Sequence, residues 1–212
     1  MRGSVLSALL MGAITASPSL AGSNNSVDLL QVSTGQFGNT LTIDQSGADN
    51  SLVAGDRLAL TPARQIGDAN SGNITVSGDG GRVAFGQSGL GNDAVATVTG
   101  LGGLGAIEQV GRGNGASLTV ESVSALFPSE GVIGQFGNRN TATLTVSGTN
   151  VRGTLLQTGS NNTNSLNVSG QDSSVVFSQL GNNLTAPSGE GVSVFTNAGN
   201  VSITQTNFGT LR

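Results

Sequence analysis

Gln87-Ser-Gly89-Leu-Gly-Asn92 returns 22 residues later as Gln109-Val-Gly111-Arg-Gly-Asn114, and the same Gln-x-Gly-x-x-Asn hexad recurs along most of the chain. Downstream copies are Gln135-Phe-Gly137-Asn-Arg-Asn140 and Gln157-Thr-Gly159-Ser-Asn-Asn162. Upstream stand Gln65-Ile-Gly67-Asp-Ala-Asn70 and Gln45-Ser-Gly47-Ala-Asp-Asn50. Gln179-Leu-Gly181-Asn182-Asn183 is a blurred copy, and Gln205 opens a last unit. From Gln65 onward the spacing is 22 residues in four units and 26 in two. Fixed-period self-similarity marks a stack of small units, none of which can bury its apolar side alone.

The flanks of the hexad alternate with period two, the signature of a strand with one buried face. Two residues before each Gln stand Ile43, Ala63, Phe85, Ile107, Ile133, Leu155, Phe177 and Ile203. The residue between is mostly polar or small: Asp44, Arg64, Gly86, Glu108, Gly134, Leu156, Ser178 and Thr204. After the Asn, Ile74, Ala96, Leu118, Leu144 and Leu166 are followed two residues on by Val76, Val98, Val120, Val146 and Val168. Thr75, Thr97, Thr119, Thr145 and Asn167 lie between them. Each unit is therefore strand, tight turn, strand, return turn. Gly67, Gly89, Gly111, Gly137, Gly159 and Gly181, with Gly47 in the upstream copy, mark the tight turn, where a positive φ is expected. The return turn carries Gly78, Gly100, Gly148 and Gly170, and the extra residues of the longer units are expected there, with Pro128 and Pro187.

Stacked about 4.8 Å apart, identical positions form columns, as in cross-β structure. Gln45, Gln65, Gln87, Gln109, Gln135, Gln157 and Gln179 fall on the inward side, as do Asn50, Asn70, Asn92, Asn114, Asn140 and Asn162. A lone buried amide is costly, but in a column each donates to the next and accepts from the last. The expected fold is an all-β β-solenoid of stacked ~22-residue strand-turn-strand repeats, cross-β-like in its spacing.

Composition narrows the function classes. The chain of 212 residues carries 34 Gly, 3% aromatic and 9% charged residues, no Lys and only four Glu, which argues against a helical bundle. Disorder is the rival for such a composition, but the regular apolar alternation opposes it. With no Cys and no His, disulfides and thiolate or imidazole metal sites are excluded; no cofactor, metal or catalytic residue is expected. A net charge of −4 with no basic run gives nucleic-acid binding little support. Residues 1–21 have the form of a secretory signal peptide: Arg2, an apolar run from Val5 to Ile14, then Ser19-Leu20-Ala21 before a cut preceding Gly22. The competing reading is a buried N-terminal strand or helix. That run is too short to span a bilayer, so no transmembrane segment is expected. The chain divides into the leader 1–21, an irregular segment with partial repeats at 22–64, and a repeat solenoid over 65–212.

The repeats resemble those of curlin, the subunit of curli fibres, whose unit runs roughly Ser-x5-Gln-x-Gly-x-x-Asn-x5-Gln. Ala94, Ala116 and Ala142, two residues after Asn, also fit that pattern. The likeness covers about residues 27–212. One departure is systematic: the second Gln, six residues past the Asn, is Val76, Val98, Val120, Val146 or Val168, and only Asn39 followed by Gln45 keeps it. The resemblance implies a secreted functional-amyloid subunit, self-assembling into a cell-surface fibre (pilus) of a Gram-negative bacterium for adhesion and biofilm matrix. It implies as partners other copies of the chain, a nucleating subunit and outer-membrane secretion machinery.

Other chemistry is thinly represented. Gly100-Leu-Gly102-Gly-Leu-Gly105 spells a dinucleotide-binding pattern, but a strand rather than a helix follows it. Without His, Lys or Cys, the many hydroxyls have no conventional activating base. Asp68, Asp79, Asp93 and Glu108 fall in turns or outward positions, which suits solvated charges better than a carboxylate pair, so no enzyme is expected. The alternative function is a monomeric secreted β-solenoid binding module for ice, polysaccharide or a host protein, using the outward row Thr75, Thr97, Thr119 and Thr145.

Overall fold

The structure is a computed structural model that describes residues 14–16, 23–56, 61–186 and 191–207. It is an all-β parallel β-solenoid of about eight turns. Among the described residues there is no helix, and so none long and apolar enough to cross a membrane.

Two sides face each other across the core. Side A stacks β2 (Ser26–Val27) and β3 (Leu29–Ser33), then β5 (Leu52–Ala54) and β6 (Ala63–Asp68), then β8 (Arg82–Leu90), β10 (Leu104–Arg112) and β12 (Glu130–Asn138). It continues through the second halves of β13 (Thr141–Ser160) and β14 (Thr163–Leu180) to β16 (Asn200–Thr206). Side B stacks β1 (Ile14–Ala16), β4 (Thr40–Asp44), β7 (Ser71–Ser77), β9 (Asp93–Gly100) and β11 (Gly115–Ser122), then the first halves of β13 and β14, then β15 (Val192–Asn197). A chain that always turns the same way can only pair its successive turns in parallel, so every backbone ladder is long-range in sequence. Of the leader, only the backbone of Ile14–Ala16 falls within the described residues, beside Leu41–Ile43.

The alternation read from the sequence is the burial pattern of the strands. Phe85, Ile107, Ile133, Leu155 and Phe177 form one inward column on side A, and Ile74, Ala96, Leu118, Leu144 and Leu166 face them from side B. Val76, Val98, Val120, Val146 and Val168 complete a core one side-chain layer thick. Each burial is worth about 1.5–3 kcal/mol, far less than ordering one turn costs, so a turn is stable only between neighbours.

Two expectations about the units need correction. Within segment 22–64 the described residues, 23–56 and 61–64, belong to a turn of the same solenoid, with Gln31 in register with Gln65. Its 34-residue spacing hid the period. The surplus lies mainly in a longer arc between Gln31 and Asn39 and in extra residues between Ala54 and Ala63, since Ala54 pairs with Ala84 and Arg64 with Gly86. The second correction concerns the last long unit. Residues 123–129 do lengthen a return turn, but the pairings Thr163 with Thr185 and Leu166 with Val192 put the other insertion inside side B. Pro187 is outside the described residues.

Candidate functional site: the amide columns and their ends

The hexad forms one arc, leading from side A to side B. Its Gln is the last inward residue of side A, and its Asn closes the arc. From Gln31 the side chains of Gln65, Gln87, Gln109, Gln135, Gln157, Gln179 and Gln205 form a continuous ladder, each Nε2 donating to the next Oε1 at 2.6–2.9 Å. The other Nε2 hydrogen goes to the carbonyl just past the Asn of the layer below: Gln87 to Ser71, Gln109 to Asp93 and Gln135 to Gly115, at 2.8–2.9 Å. Every interior Gln amide is thus fully buried with both donors used, which turns a desolvation cost into a register constraint.

The Asn column runs Asn39, Asn70, Asn92, Asn114, Asn140 and Asn162. Each Oδ1 accepts the backbone N–H of the next Asn at 3.0–3.1 Å. Each Nδ2 from Asn70 to Asn162 reaches forward to the carbonyl of the next layer's hexad glycine, at 2.9–3.1 Å. Those glycines hold φ between +121° and +137°, and a Cβ on any from Gly67 to Gly159 would stand 1.8–2.0 Å from the carbonyl oxygen of the next. No side chain fits there.

Gln45, Gly47 and Asn50 do not belong to these columns. The register of β4 with β7 puts Gln45 directly under Val76, at the foot of the valine column, where its Nε2 donates to Ser51 Oγ at 2.8 Å. Gly47 and Asn50 lie in the return turn, and Asn50 accepts from Asn24 Nδ2 at 3.3 Å. The hexad at 45–50 matches the pattern because both ends of a turn need a positive φ and a short polar residue. Its place in the columns is taken by Gln31 and Asn39. The cue in the sequence is the six-residue step from Asn39 to Gln45, together with Leu29 two residues before Gln31. At the other end Leu184 replaces the Asn, and its N–H still caps Asn162 Oδ1 at 3.0 Å.

The chain matches none of the protein-family models, curated proteins or solved structures it was compared with.

Charge plays a local part. Asp68 folds over the longer first arc and accepts from the backbone N–H groups of Phe37 (3.0 Å) and Gly38 (2.8 Å). Hydrogen bonds from the hydroxyl and backbone N–H of Ser46 hold the Asp44 carboxyl below the usual range. Asp79, Asp93 and Glu108 are exposed. Among the described residues no three acids converge as a metal cage would require.

The ends of the stack differ from its interior. Gln31 Oε1 is a buried acceptor with no partner, and among the described residues no Gln stands below it to supply a donor. At the other end Gln205 Nε2 donates to Thr185 O at 2.7 Å, whereas each interior Gln also donates to the layer above. Around it Val192, Val194, Val201 and Ile203 are only partly buried against the core. Among the described residues, the Gln ladder lacks a donor at one end and an acceptor at the other.

Proposed function

We propose that this protein is a secreted structural subunit that assembles end to end into a curli-type amyloid fibre. The observation that carries the reading is the polarity of the Gln ladder: the unmatched acceptor at Gln31 and the spare donor at Gln205 are the two halves of the bond made seven times within the chain. A second copy stacked in the same register would complete that ladder, pair the open edges of β3 and β16, and cover the half-buried valines. Adhesion and biofilm matrix, a nucleating partner, passage through the outer membrane and a cell-surface location belong to the same reading and rest on the resemblance of the repeats to curlin. Purified mature protein at micromolar concentration should form fibres giving a cross-β reflection near ~4.7–4.8 Å. Protein that stays monomeric indefinitely overturns it.

A second reading has one observation in its favour: Thr75, Thr97, Thr119 and Thr145 stand in register on the outer face of side B. As a monomeric module the protein would present that row to ice, a polysaccharide or a host protein. Replacing Thr97, Thr119 and Thr145 with a bulky charged residue should then abolish binding while the stack stays folded; unchanged binding removes the idea.

A further inference from the structure

The outward side of the arc carries a groove of about 940 Å3 that runs along the stack. Its lining comes from six successive arcs, from Thr34 through Asp68, Leu90, Arg112 and Arg139 to Asn161, so at ~4.8 Å per layer it is roughly 24 Å long. Gly67, Gly89 and Gly111 bring bare backbone to it, and Ser88, Asn138, Ser160 and Asn161 line it with hydroxyls and amides.

Two arginines stand in neighbouring layers of this groove. The Arg139 N–H donates to Arg112 O at 2.9 Å, and the Arg112 N–H to Asn138 Oδ1 at 3.1 Å, so their backbones are held together. The Arg139 stem lies over Gly113, where a Cβ would sit 3.8 Å from its Cγ, and so leans toward the layer of Arg112. Arg139 holds φ +55°, at a hexad position that Gly91, Gly113, Asn161 and Asn183 fill in other layers. A long cation at a left-handed position is an unfavourable choice for the fold alone.

Among the described residues neither arginine makes an ion pair, and the four hexads from Gln87 to Asn162 contain no acid. Asp68 is the one carboxylate on the groove; it lies two layers below Arg112, with Oδ1 taken by the N–H groups of Phe37 and Gly38. Asp93 and Glu108 are exposed on sides B and A and do not line it. Like charges in adjacent layers repel, and a carboxylate from outside relieves that repulsion with charge-assisted hydrogen bonds. Shape selects among anions. A groove open along six layers takes an extended chain, and its hydroxyls and side-chain amides both donate and accept, as sugar hydroxyls require. No aromatic side chain lines it, which leaves no platform on which nucleic-acid bases could stack.

We propose that this groove binds a linear acidic polysaccharide, with Arg112 and Arg139 taking its uronate carboxylates and Ser88, Asn138, Ser160 and Asn161 its hydroxyls. The site goes beyond end-to-end growth and is independent of it, since binding is read on the unassembled chain. It is also separate from the threonine row, which stands on side B.

Fluorescent oligogalacturonate, titrated with soluble protein at low ionic strength and followed by anisotropy, tests the assignment. Arg112→Ser with Arg139→Asn should weaken binding about tenfold or more. Both replacements copy residues that a neighbouring layer already holds, Ser160 and Asn161, so the stack stays folded, which circular dichroism checks. Arg64→Gln with Arg152→Gln changes the net charge equally from outside the groove and should shift the affinity by less than about twofold. Asn161→Arg, one layer on at the same left-handed position, should tighten binding about threefold. No binding, or binding that loss of the arginine pair does not alter, overturns the proposal. So does undiminished binding of the methyl-esterified oligomer, which lacks the charge. A galacturonate monomer that competes as well per carboxylate as the oligomer makes the pair a simple anion site. Single-stranded DNA bound as tightly, with the same arginine dependence, makes it a general polyanion surface; either result overturns the assignment.

Discussion

The two ends of each turn solve the same problem with different means. At the arc, Gln and Asn side chains bind the backbone of the layers above and below, so the residue count between them is nearly fixed. From Gln65 to Asn162 it never changes. At the return, mainly backbone bonds link the layers, such as Gly80 N–H to Asp49 O and Gly102 N–H to Asp79 O, both 2.8 Å. There the length varies, and the long loop at 123–129 is found. The lesson is that a solenoid keeps its register at the end where side chains bond between layers, and is free to change at the other. The first turn fits this rule as an end layer: its longer arc needs Asp68 to satisfy the added N–H groups.

The largest test of this contrast is Gly111→Ala. A Cβ there would lie 1.9 Å from Gly137 O on a backbone at φ +127°, and relief requires the layers to separate. We expect a loss above about 4 kcal/mol, or no folding, in chemical denaturation. Two residues on, Gly113→Ala should cost only about 1 kcal/mol, because Ala69 and Arg139 already hold the same conformation in their layers.

Next comes Asn114→Ala, which strands the Asn140 N–H and the Gly137 carbonyl and should cost roughly 2–4 kcal/mol. Its counterpart at the return, Asn150→Ala, loses an exposed bond to Asp172 on a left-handed backbone that Ala198 also holds in the same column, and should cost no more than about 1 kcal/mol. Equal losses at the two sites would erase the distinction between the ends.

Asn164 sharpens the comparison from the core. It stands in register with Ala142, is buried, and both its amide atoms lack partners. Buried in the apolar core away from both columns, this amide finds nothing to bond. Asn164→Ala should therefore raise the stability by about 1–3 kcal/mol in the same denaturation assay. Smaller still, four residues inserted after Asn150 in the return should cost under about 1 kcal/mol, whereas the same insertion after Gly113 should cost several.

The smallest effect is that of Asp44. Its carboxyl is held low by Ser46, so its contribution is complete above the ordinary carboxylate range and fades as the pH falls through its lowered folded value. Ser46→Ala should flatten this part of a pH–stability profile slightly, with no change at neutral pH beyond the lost hydrogen bond.

Most of the architecture was legible in the sequence because the columns repeat the same chemistry at each layer. Alternation gave the two sides, and the hexads from Gln65 to Asn162 gave the arc. Three things were hidden for physical reasons. The hexad at Gln45 imitates the arc, since a return turn tolerates the same Gly and Asn residues. The true first layer, Gln31 to Asn39, carries extra arc residues and so breaks the local spacing. The last insertion falls inside side B, which only pairing with the layer below reveals. The orphan Gln31 oxygen, from which the proposed direction of assembly follows, has no sequence signal.

The central claim is that the Gln column continues from one chain into the next. Fibres grown from an equal mixture of two populations, one carrying 15N at the Gln205 side chain and the other 13C at the Gln31 side chain, test it by solid-state NMR. The account predicts a direct nitrogen–carbon transfer between the two labels, at a separation of about 4 Å set by one amide hydrogen bond. Well-ordered fibres with no such transfer would contradict it.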